Sequence, residues 1–527
     1  MKQQIFRVFG TLVLAGLMGS FLASCDLTRM PSKSIPIDES LKTYEDAAKW
    51  NRGVYTQFRN RQGGVFVTIQ EQMSDYLNAS SGFSNRGGVH HGWVEMSASD
   101  NDVATVYAYY YSALKNLNSL INGGYQGVID DIEAEKAGTT NEKTLKTYEA
   151  QIGEIKSFIG SAYFARAYYY FNLLWRFGTP YNKATALTDL GVPVVTVYNV
   201  SDQVKRGTVQ QGYDLIFADL KEAEKYLTDV PNESGSIRFN TDAITALRAR
   251  AYLEMKDYEN AYSEAMKLIS SGRYPLIDPT EDAIMDLWRH DTSTEFILMV
   301  PLRAGTETVS SMGSYYAARK DQTYHTPDWI PTQGLLDKFA PEDIRRKAYF
   351  EEVELYYNNI HFNGMTIVSK FRGNPEFATD ENEYYGPIPN GQQMPKIFRI
   401  AEDYLIAAEA AYFSNKDALT PLNELRRHRG LAPLSGISGK ALLDEIKDER
   451  LRELAFEGFR LFDLRRWGDP MNRMTSQKTT DGSTLFLSNS DFRTLKIEAG
   501  NPKFVFPIPQ WDINVYGEEN MPQNPGW

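Results

Sequence analysis

One stretch of the sequence, Leu442–Gly468, carries carboxylates at a spacing that suits acid–base chemistry. Its glutamates repeat every fourth residue, and arginines stand three residues from them: Glu449, Glu453, Glu457, Arg450 and Arg460. Side chains three and four residues apart share one face of a helix, so the pattern fits either a catalytic carboxylate site or a structural ladder of ion pairs. Glutamates among arginines usually form a ladder, and we expect a structural role for them.

The rest of the sequence offers few groups for catalysis. It lacks glycine-rich phosphate loops, the HExxH zinc motif, the GxSxG nucleophile turn and the calcium-loop pattern. His90 and His91 are adjacent, but no matching Cys or His cluster completes a metal site, and we expect no metal and no cofactor. Acidic residues such as Asp75 and Glu95 have no spacing that favours a glycosidase, although paired carboxylates can meet in space alone.

Length and composition describe a large, acidic, globular protein. The chain has 527 residues, of which 42% are hydrophobic and 24% are charged, enough to bury a sizeable core. Aromatic residues make up 13% and include 32 Tyr and 8 Trp, which suits either buried helix contacts or surfaces that stack on ligands. The formal net charge of -12 argues against nucleic acid and anionic lipid as main partners.

The N-terminal segment has the pattern of a lipoprotein leader. A charged start precedes the apolar run Val8–Leu22, which is too short for a stable membrane span. Cys25, the only cysteine of the sequence, follows this run in Leu-Ala-Ser-Cys, which resembles a bacterial lipobox. We therefore predict a signal peptide over 1–24, lipid on Cys25 and a tether over 25–40. The alternative is an ordinary signal peptide with a chance cysteine.

Hydrophobic residues at spacings of three and four predict helices along much of the chain. The predicted helices include Leu41–Arg59, Val103–Asn122, Ile155–Phe177 and Thr208–Leu227. Thr241–Ile269 is expected to form a helix pair with a turn at Lys256-Asp257, because its small and aromatic residues are spaced as in a tetratricopeptide pair. Those residues are Ala249, Tyr252, Tyr258, Ala261 and Ala265. Ile397–Phe413 with Asp417–Arg429 is a second, degenerate candidate pair.

Two stretches between the predicted helices, 60–101 and 275–395, are rich in aromatic residues, Gly, Asn and Asp and are interpreted as long loops. Aromatic faces stack on the C–H surfaces of sugars, while Asn, Arg and His hydrogen-bond to vicinal hydroxyls. The first stretch offers Asn85, Arg86 and His91 for such contacts. The alternative is that the rings pack the insertion onto the helices, but we expect at least one exposed platform.

Several motifs follow one another along the chain. They are Leu22-Ala-Ser-Cys25 with Asp26-Leu27, Tyr110-Tyr111 to Asn118, RAYYYFNLLWRFG from Arg166, FRIAEDYLIAAEA from Phe398, Glu449-Arg450 to Gly468, Pro507-Ile-Pro509 and Gln523-Asn-Pro-Gly-Trp527. In this order they resemble the motifs of the SusD/RagB family of nutrient-binding outer-membrane lipoproteins of the Bacteroidetes. The resemblance covers nearly the whole chain after the leader.

The resemblance implies a mainly α fold of tetratricopeptide-like helix pairs, the SusD-like fold, with a large loop-rich insertion and few short strands. It also implies lipid anchoring to the outer membrane at the cell surface, a SusC-like TonB-dependent transporter as partner, a glycan or peptide as ligand, and no catalytic residues. In starch-binding relatives the ligand contacts come from the loop after the first helix and from the insertion. By position, the candidates here are Trp93, Tyr315, Tyr316, Tyr324 and Trp329.

The predicted organisation has two regions after the tether. An N-terminal helical region covers 41–275, and a C-terminal region over 276–527 comprises the aromatic insertion 276–395, core helices 396–470 and a tail 471–527. We expect a non-catalytic protein that captures an oligosaccharide or polysaccharide. Peptide capture on the same architecture, a helical glycosidase and a plain tetratricopeptide scaffold are the alternatives.

Overall fold

The computed structural model describes residues 40–80, 88–94, 96–197, 203–303, 306–309, 312–318, 324–357, 359–377, 391–480, 482 and 490–527. The predicted signal peptide over 1–24, the predicted lipid site Cys25 and two of the candidate ligand residues, Asn85 and Arg86, lie outside these ranges. No helix within the ranges combines the length and the apolar character that a membrane crossing requires.

The described chain is mainly helical, as predicted, with short strands between the helices. The helices are α1 (Tyr44–Arg59), α2 (Val65–Gln72), α3 (Gly88–Gly92), α4 (Asn101–Ser119), α5 (Tyr125–Ala137), α6 (Glu142–Phe177), α7 (Val209–Leu227), α8 (Thr241–Glu254), α9 (Tyr258–Ser270), α10 (Glu281–Arg289), α11 (Gly313–Tyr316), α12 (Gln333–Leu336), α13 (Arg345–Tyr349), α14 (Ile400–Phe413), α15 (Leu419–Arg427), α16 (Gly439–Leu454), α17 (Arg460–Trp467) and α18 (Gln510–Tyr516). The strands are β1 (Leu77–Ala79), β2 (Phe296–Met299), β3 (Trp329–Pro331), β4 (Phe350–Tyr357), β5 (Ile360–Val368), β6 (Lys396–Arg399), β7 (Met471–Asn472) and β8 (Lys496–Ile497).

The long helix α6 organises the N-terminal half. It begins earlier than the predicted Ile155, at a cap where the side chain of Asn141 accepts a hydrogen bond from the Thr144 amide, and its second half is almost entirely buried. Its partner α7 lies so close that a Cβ on Gly160 would stand 2.7 Å from Cγ of Leu227. Glycine at this position is what permits the two helices to approach.

The predicted tetratricopeptide-like pair is confirmed as α8 and α9. Lys256 adopts a φ of +58° at the turn, and the side chain of Asp257 caps α9. Small buried residues let the pair pack tightly on α14: Ala249, Ala261, Ala265, Ala407 and Ala410. The second candidate pair is present as α14 and α15, but residues 397–399 belong to strand β6, which pairs with β2, and are not helical.

Short strands bring together the two loop-rich stretches of the sequence. β1, from the first stretch, pairs antiparallel with β3 of the insertion, with Leu77 opposite Pro331 and Ala79 opposite Trp329. β3 contacts β5, which forms an antiparallel hairpin with β4. Residues that are about 250 positions apart in sequence are therefore paired in one small sheet.

The predicted single helix over Leu442–Gly468 is wrong in one respect, because the chain breaks it into α16 and α17. In the turn between them, Phe456 has a φ of +69° and Gly458 a φ of +90°. The Gly458 amide donates to Oε1 of Glu71 at 2.6 Å, and a Cβ on Gly458 would stand 2.9 Å from Nε2 of Gln70. Docking onto the end of α2 thus requires the glycine and ends the helix.

Candidate functional site

The carboxylates that raised the question of catalysis form a buried ion-pair network. Glu453 is fully buried and accepts hydrogen bonds from Arg399 at 2.6 Å, Arg429 at 2.9 Å and Arg345 at 3.1 Å. Burial by itself raises the pKa of Glu453, but the three guanidinium groups outweigh it and hold this pKa well below its usual range. A carboxylate locked in its charged form and sealed from solvent cannot exchange protons with a substrate, so the ion-pair interpretation is confirmed.

The partners in this network differ from those that helix periodicity predicts. Glu449 is held by Arg345, Arg452 and Arg426, which lower its pKa to about 2 although burial opposes them. Arg450 instead pairs with Asp463, and Arg460 forms a two-bond pair with Asp75. The cations come mainly from other elements, because α16 is buried on several sides.

Two of the candidate ligand residues, Trp93 and Trp329, are interior packing residues. Trp93 is 6% exposed, its Nε1 donates to the Met73 carbonyl at 3.1 Å, and its ring meets Phe504 edge-on at 5.0 Å between centroids. Trp329 is 1% exposed, in β3. Ligand binding by Trp93 and Trp329 stays a prediction. It depended on an open ring face, and neither side chain has one in this structure.

Tyr316 and His91 are likewise covered by protein. Tyr316 is 1% exposed and packs against the rings of Phe371 and Phe456. His91 is also 1% exposed, donates to the Leu77 carbonyl and lies 5.1 Å from the ring of Trp329; burial lowers its pKa well below the usual value.

The adjacent histidines diverge in the structure. His90 turns to a different partner, Asp100, at 3.1 Å. In the described ranges, no group of three or more His, Cys, Asp or Glu side chains is placed to hold a metal ion. Tyr315 is half-buried, and its carbonyl accepts a hydrogen bond from the Asp328 amide.

Tyr324 is the candidate that the structure places in an accessible aromatic cluster. Its ring stacks on Tyr356 at 5.4 Å between centroids and 25° between planes, and His361 meets both rings edge-on at 4.8 Å. Both tyrosines are half-buried, and the His361 side chain is 42% exposed. We call these three side chains the aromatic platform.

The backbone beneath the platform is fixed by strand pairing. Tyr356 and His361 face each other across β4 and β5. The chain at His325 runs alongside β4, where the His325 amide donates to the Glu354 carbonyl at 3.1 Å and the Tyr356 amide donates to the His325 carbonyl at 3.0 Å. Three adjacent lengths of backbone therefore set the positions of the three rings.

Polar groups at the edge of the platform orient its rings. The Tyr356 hydroxyl donates to Oδ1 of Asn359 at 2.7 Å, and Nδ1 of His361 donates to Oε1 of Glu354 at 2.6 Å. An amide and a carboxylate beside aromatic faces are the groups that bind vicinal hydroxyls. The site thus combines stacking surfaces with hydrogen-bonding groups held in place.

The platform adjoins the junction of the two loop-rich stretches. On the other side of the hairpin, the Tyr357 hydroxyl donates to Oγ of Ser80 at 3.0 Å, and the Ser80 amide donates to the Asp328 carbonyl at 3.0 Å. Hydrogen bonds at the buried Ser80 therefore join the first stretch to the insertion.

Sequence reasoning did not select Tyr356, His361, Glu354 or Asn359. A signal for them exists, because the Asn358-Asn359 pair between alternating polar and apolar residues is typical of a tight hairpin turn. Asn359 has a φ of +64°, as such a turn requires. A hairpin register about this turn places residue 356 opposite residue 361.

Two family models match the chain. The model described as "SusD family" matches residues 358–527, and the model described as "Starch-binding associating with outer membrane" matches residues 65–253.

Individual proteins are similar over most of the chain. The SusD-like protein P38 of Formosa agariphila is 30% identical over 377 residues, which cover 61% of this chain and 69% of that protein. The starch-binding protein SusD of Bacteroides thetaiotaomicron is 26% identical over 462 residues, or 74% of each chain.

Solved structures share the fold. A SusD superfamily protein from Bacteroides thetaiotaomicron superposes with a TM-score of 0.69 at 24% identity, covering 92% of this chain and 100% of that chain. A laminarin-binding SusD-like protein does so with a TM-score of 0.65 at 20% identity and the same coverage. Together with the relatives above, the matched models show that the chain belongs to the SusD family.

Proposed function

We propose that this chain is a non-catalytic surface lipoprotein that captures an oligosaccharide on the aromatic platform and delivers it to a TonB-dependent outer-membrane transporter. The observation that carries the proposal is the cluster of Tyr324, Tyr356 and His361, accessible and held by three paired lengths of backbone. The names of relatives support the ligand class, since one is a starch-binding protein and another binds laminarin.

The platform suits a sugar chain for physical reasons. Stacked tyrosines offer a broad apolar surface with little conformational entropy to lose, and a pyranose ring presents C–H groups that pack on such faces. Asn359 and Glu354 stand beside the rings to bind hydroxyls. The hydrogen bonds that these groups already make keep the rings oriented before the ligand arrives.

The anchoring part of the proposal comes from Cys25 and its leader. Several acyl chains on one residue give durable membrane attachment. The description of the model that matches residues 65–253 also names association with the outer membrane.

Affinity gel electrophoresis tests ligand capture. The full chain is run through gels containing starch, laminarin or other polysaccharides, beside Tyr356→Ala and the matched control Trp511→Ala, an aromatic residue that is 71% exposed on α18. We expect at least one polysaccharide to retard the wild type and the control but not Tyr356→Ala. Retardation of Tyr356→Ala equal to the wild type rejects the platform. Calorimetric binding of peptides without any glycan binding favours peptide capture instead.

Isolation from outer membranes tests delivery. The tagged full chain, solubilised in mild detergent, is expected to co-purify with a TonB-dependent transporter. Cys25→Ala is the control and should leave the chain unanchored. Anchoring that survives Cys25→Ala, or wild-type protein that repeatedly purifies without a transporter, contradicts this part of the proposal.

A further inference from the structure

A second candidate binding site is a cavity apart from the platform. The cavity, of about 120 Å³ and partly open to solvent, is lined by α2, α6, the Arg250 side chain of α8, strand β6 and the turn after α16. The described residues that line this cavity do not include Tyr324, Tyr356 or His361 of the platform. Its wall holds five cationic side chains and only two carboxylates, Glu402 and Glu457.

Three of the cations are neutralised by carboxylates in or directly behind the wall. Arg250 makes two hydrogen bonds to Glu402, at 2.8 and 2.6 Å. Arg399 is paired with Glu453 and Glu457 in the network. The Lys396 ammonium pairs with Asp291 at 2.5 Å.

The other two cations, Arg61 and Arg176, have no carboxylate partner within the described ranges. Arg61 is 6% exposed and donates to the carbonyls of Gln57 and Tyr109. Arg176 is 3% exposed and donates to the Phe66 carbonyl and to the backbone and side-chain oxygens of Asn172. Each guanidinium has five N–H groups and uses three in these bonds, so two remain on each, and both residues line the cavity.

Buried arginine without a carboxylate is not by itself a ligand site, and Arg206 shows the difference. Its guanidinium donates six hydrogen bonds to carbonyl and amide oxygens. Arg61 and Arg176 make three such bonds each, and both line one cavity. Burial of such charges is costly unless an anion or strong acceptors complete their surroundings.

The same cavity contains buried acceptors that have no donor. Among the residues that the structure describes, Oε1 of Gln70 and Oε1 of Gln393 have no hydrogen-bond partner, although these residues are only 1% and 7% exposed. The amide orientation of Gln70 is fixed, because its Nε2 donates to the Phe66 carbonyl at 2.7 Å. A ligand in the cavity would satisfy both amide oxygens by donating hydrogen bonds from hydroxyl groups.

We infer that this cavity binds a small hydroxylated carboxylate, of the size of one acidic monosaccharide. The carboxylate would lie between Arg61 and Arg176, and the hydroxyls would donate to Gln70 and Gln393. Trp175, Phe459 and Trp288 supply apolar walls for the ring. A cavity of about 120 Å³ is comparable to engineered cavities that hold one six-membered ring, so the part of the ligand inside it is about one ring.

Calorimetry with three probes tests the chemistry. Glucuronate offers an acid and hydroxyls, glucose offers hydroxyls only, and cyclohexanecarboxylate offers the acid only. At low ionic strength we expect the full chain to bind glucuronate at least tenfold more tightly than either of the other two, because a site built for both groups rejects analogues that lack one. Failure to bind glucuronate, or an affinity for glucose or for cyclohexanecarboxylate equal to that for glucuronate, overturns the inference.

Variants locate the binding. Gln393→Leu should weaken glucuronate binding at least tenfold, and Val309→Trp, which fills the cavity at a half-buried residue of its wall, should do the same. Tyr356→Ala on the platform should leave glucuronate affinity unchanged, which separates this test from that of the proposed function. Full glucuronate affinity in both cavity variants, with folding verified by circular dichroism, places the binding elsewhere and contradicts the inference.

Discussion

The network around Glu453 and the aromatic platform lie in the same C-terminal region and use overlapping residue types, yet they differ in exposure and in partners. Glu453 is 0% exposed and meets three guanidinium groups. Glu354, at the edge of the platform, is half-buried and orients one histidine. A carboxylate that is buried and saturated by cations serves the fold, whereas one beside accessible rings is available to a ligand.

The largest effect is expected from breaking the network at its centre. Glu453→Ala leaves Arg399, Arg429 and Arg345 facing each other in the interior, and should lower the free energy of unfolding by about 3–5 kcal/mol. Urea denaturation measures it. The control Glu352→Ala removes an exposed carboxylate of the hairpin and should change stability by less than about 0.5 kcal/mol. Similar losses of unfolding free energy in the two variants would contradict the claim that the buried network, unlike the hairpin carboxylates, stabilises the fold.

Acid should destabilise the protein through the same network. The pKa of Glu449 is about 2 in the folded state against 4.5 ordinarily, so between these values the unfolded chain binds more protons than the folded chain. Stability is therefore present above about pH 4.5 and falls as the pH falls towards 2, by about 3 kcal/mol for this group.

Denaturation of Glu449→Gln as a function of pH isolates this contribution. The variant should be less stable than the wild type at pH 6, and the gap should narrow towards pH 2. A gap that stays constant with pH shows that Glu449 does not titrate as a buried partner of arginines.

Trp93 tests the difference between core residues and ligand-binding residues. The sequence made it a candidate ligand-binding residue, but the structure places it in the core. Trp93→Phe removes a hydrogen bond to Met73 and some buried volume, and should lower stability by about 2 kcal/mol. The affinity of the folded variant for the captured glycan should equal that of the wild type in calorimetry. A tenfold loss of affinity in folded Trp93→Phe assigns this residue to the ligand after all.

The smallest effect is expected at the edge of the platform. His361→Gln removes the ring that packs on both tyrosines but keeps a hydrogen-bond donor for Glu354, so affinity for the glycan should fall only about threefold to fivefold. Calorimetry at constant pH measures the change. A hundredfold loss of affinity would show that His361, and not the two tyrosines, is the principal contact to the glycan.

The sequence was sufficient for the features that repeat locally. Alanines and tyrosines at regular spacing located α8 and α9, and glutamates among arginines indicated ion pairs. Local spacing did not reveal the partners, because Arg345, Arg399 and Arg429 reach Glu453 from elements distant in sequence. It also missed the break at Gly458, which follows from docking onto α2.

Ligand residues were harder to select than the fold. Aromatic residues of one loop look alike in sequence, but Trp329 enters the interior through the β1–β3 pairing while Tyr324 remains near the surface. Exposure depends on strand pairing between stretches far apart in the chain, and periodicity does not report it. The hairpin turn at Asn359 was the one local signal that could have placed Tyr356 opposite His361.

The most direct test of the account is the dissociation constant of Tyr324→Ala/Tyr356→Ala for an oligosaccharide from the polysaccharide that retards the wild type, measured by calorimetry beside its melting temperature. Removing both stacked rings should weaken binding at least fiftyfold and shift the melting temperature by no more than a few degrees. Affinity within twofold of the wild type contradicts the claim that the platform on the β4–β5 hairpin holds the ligand.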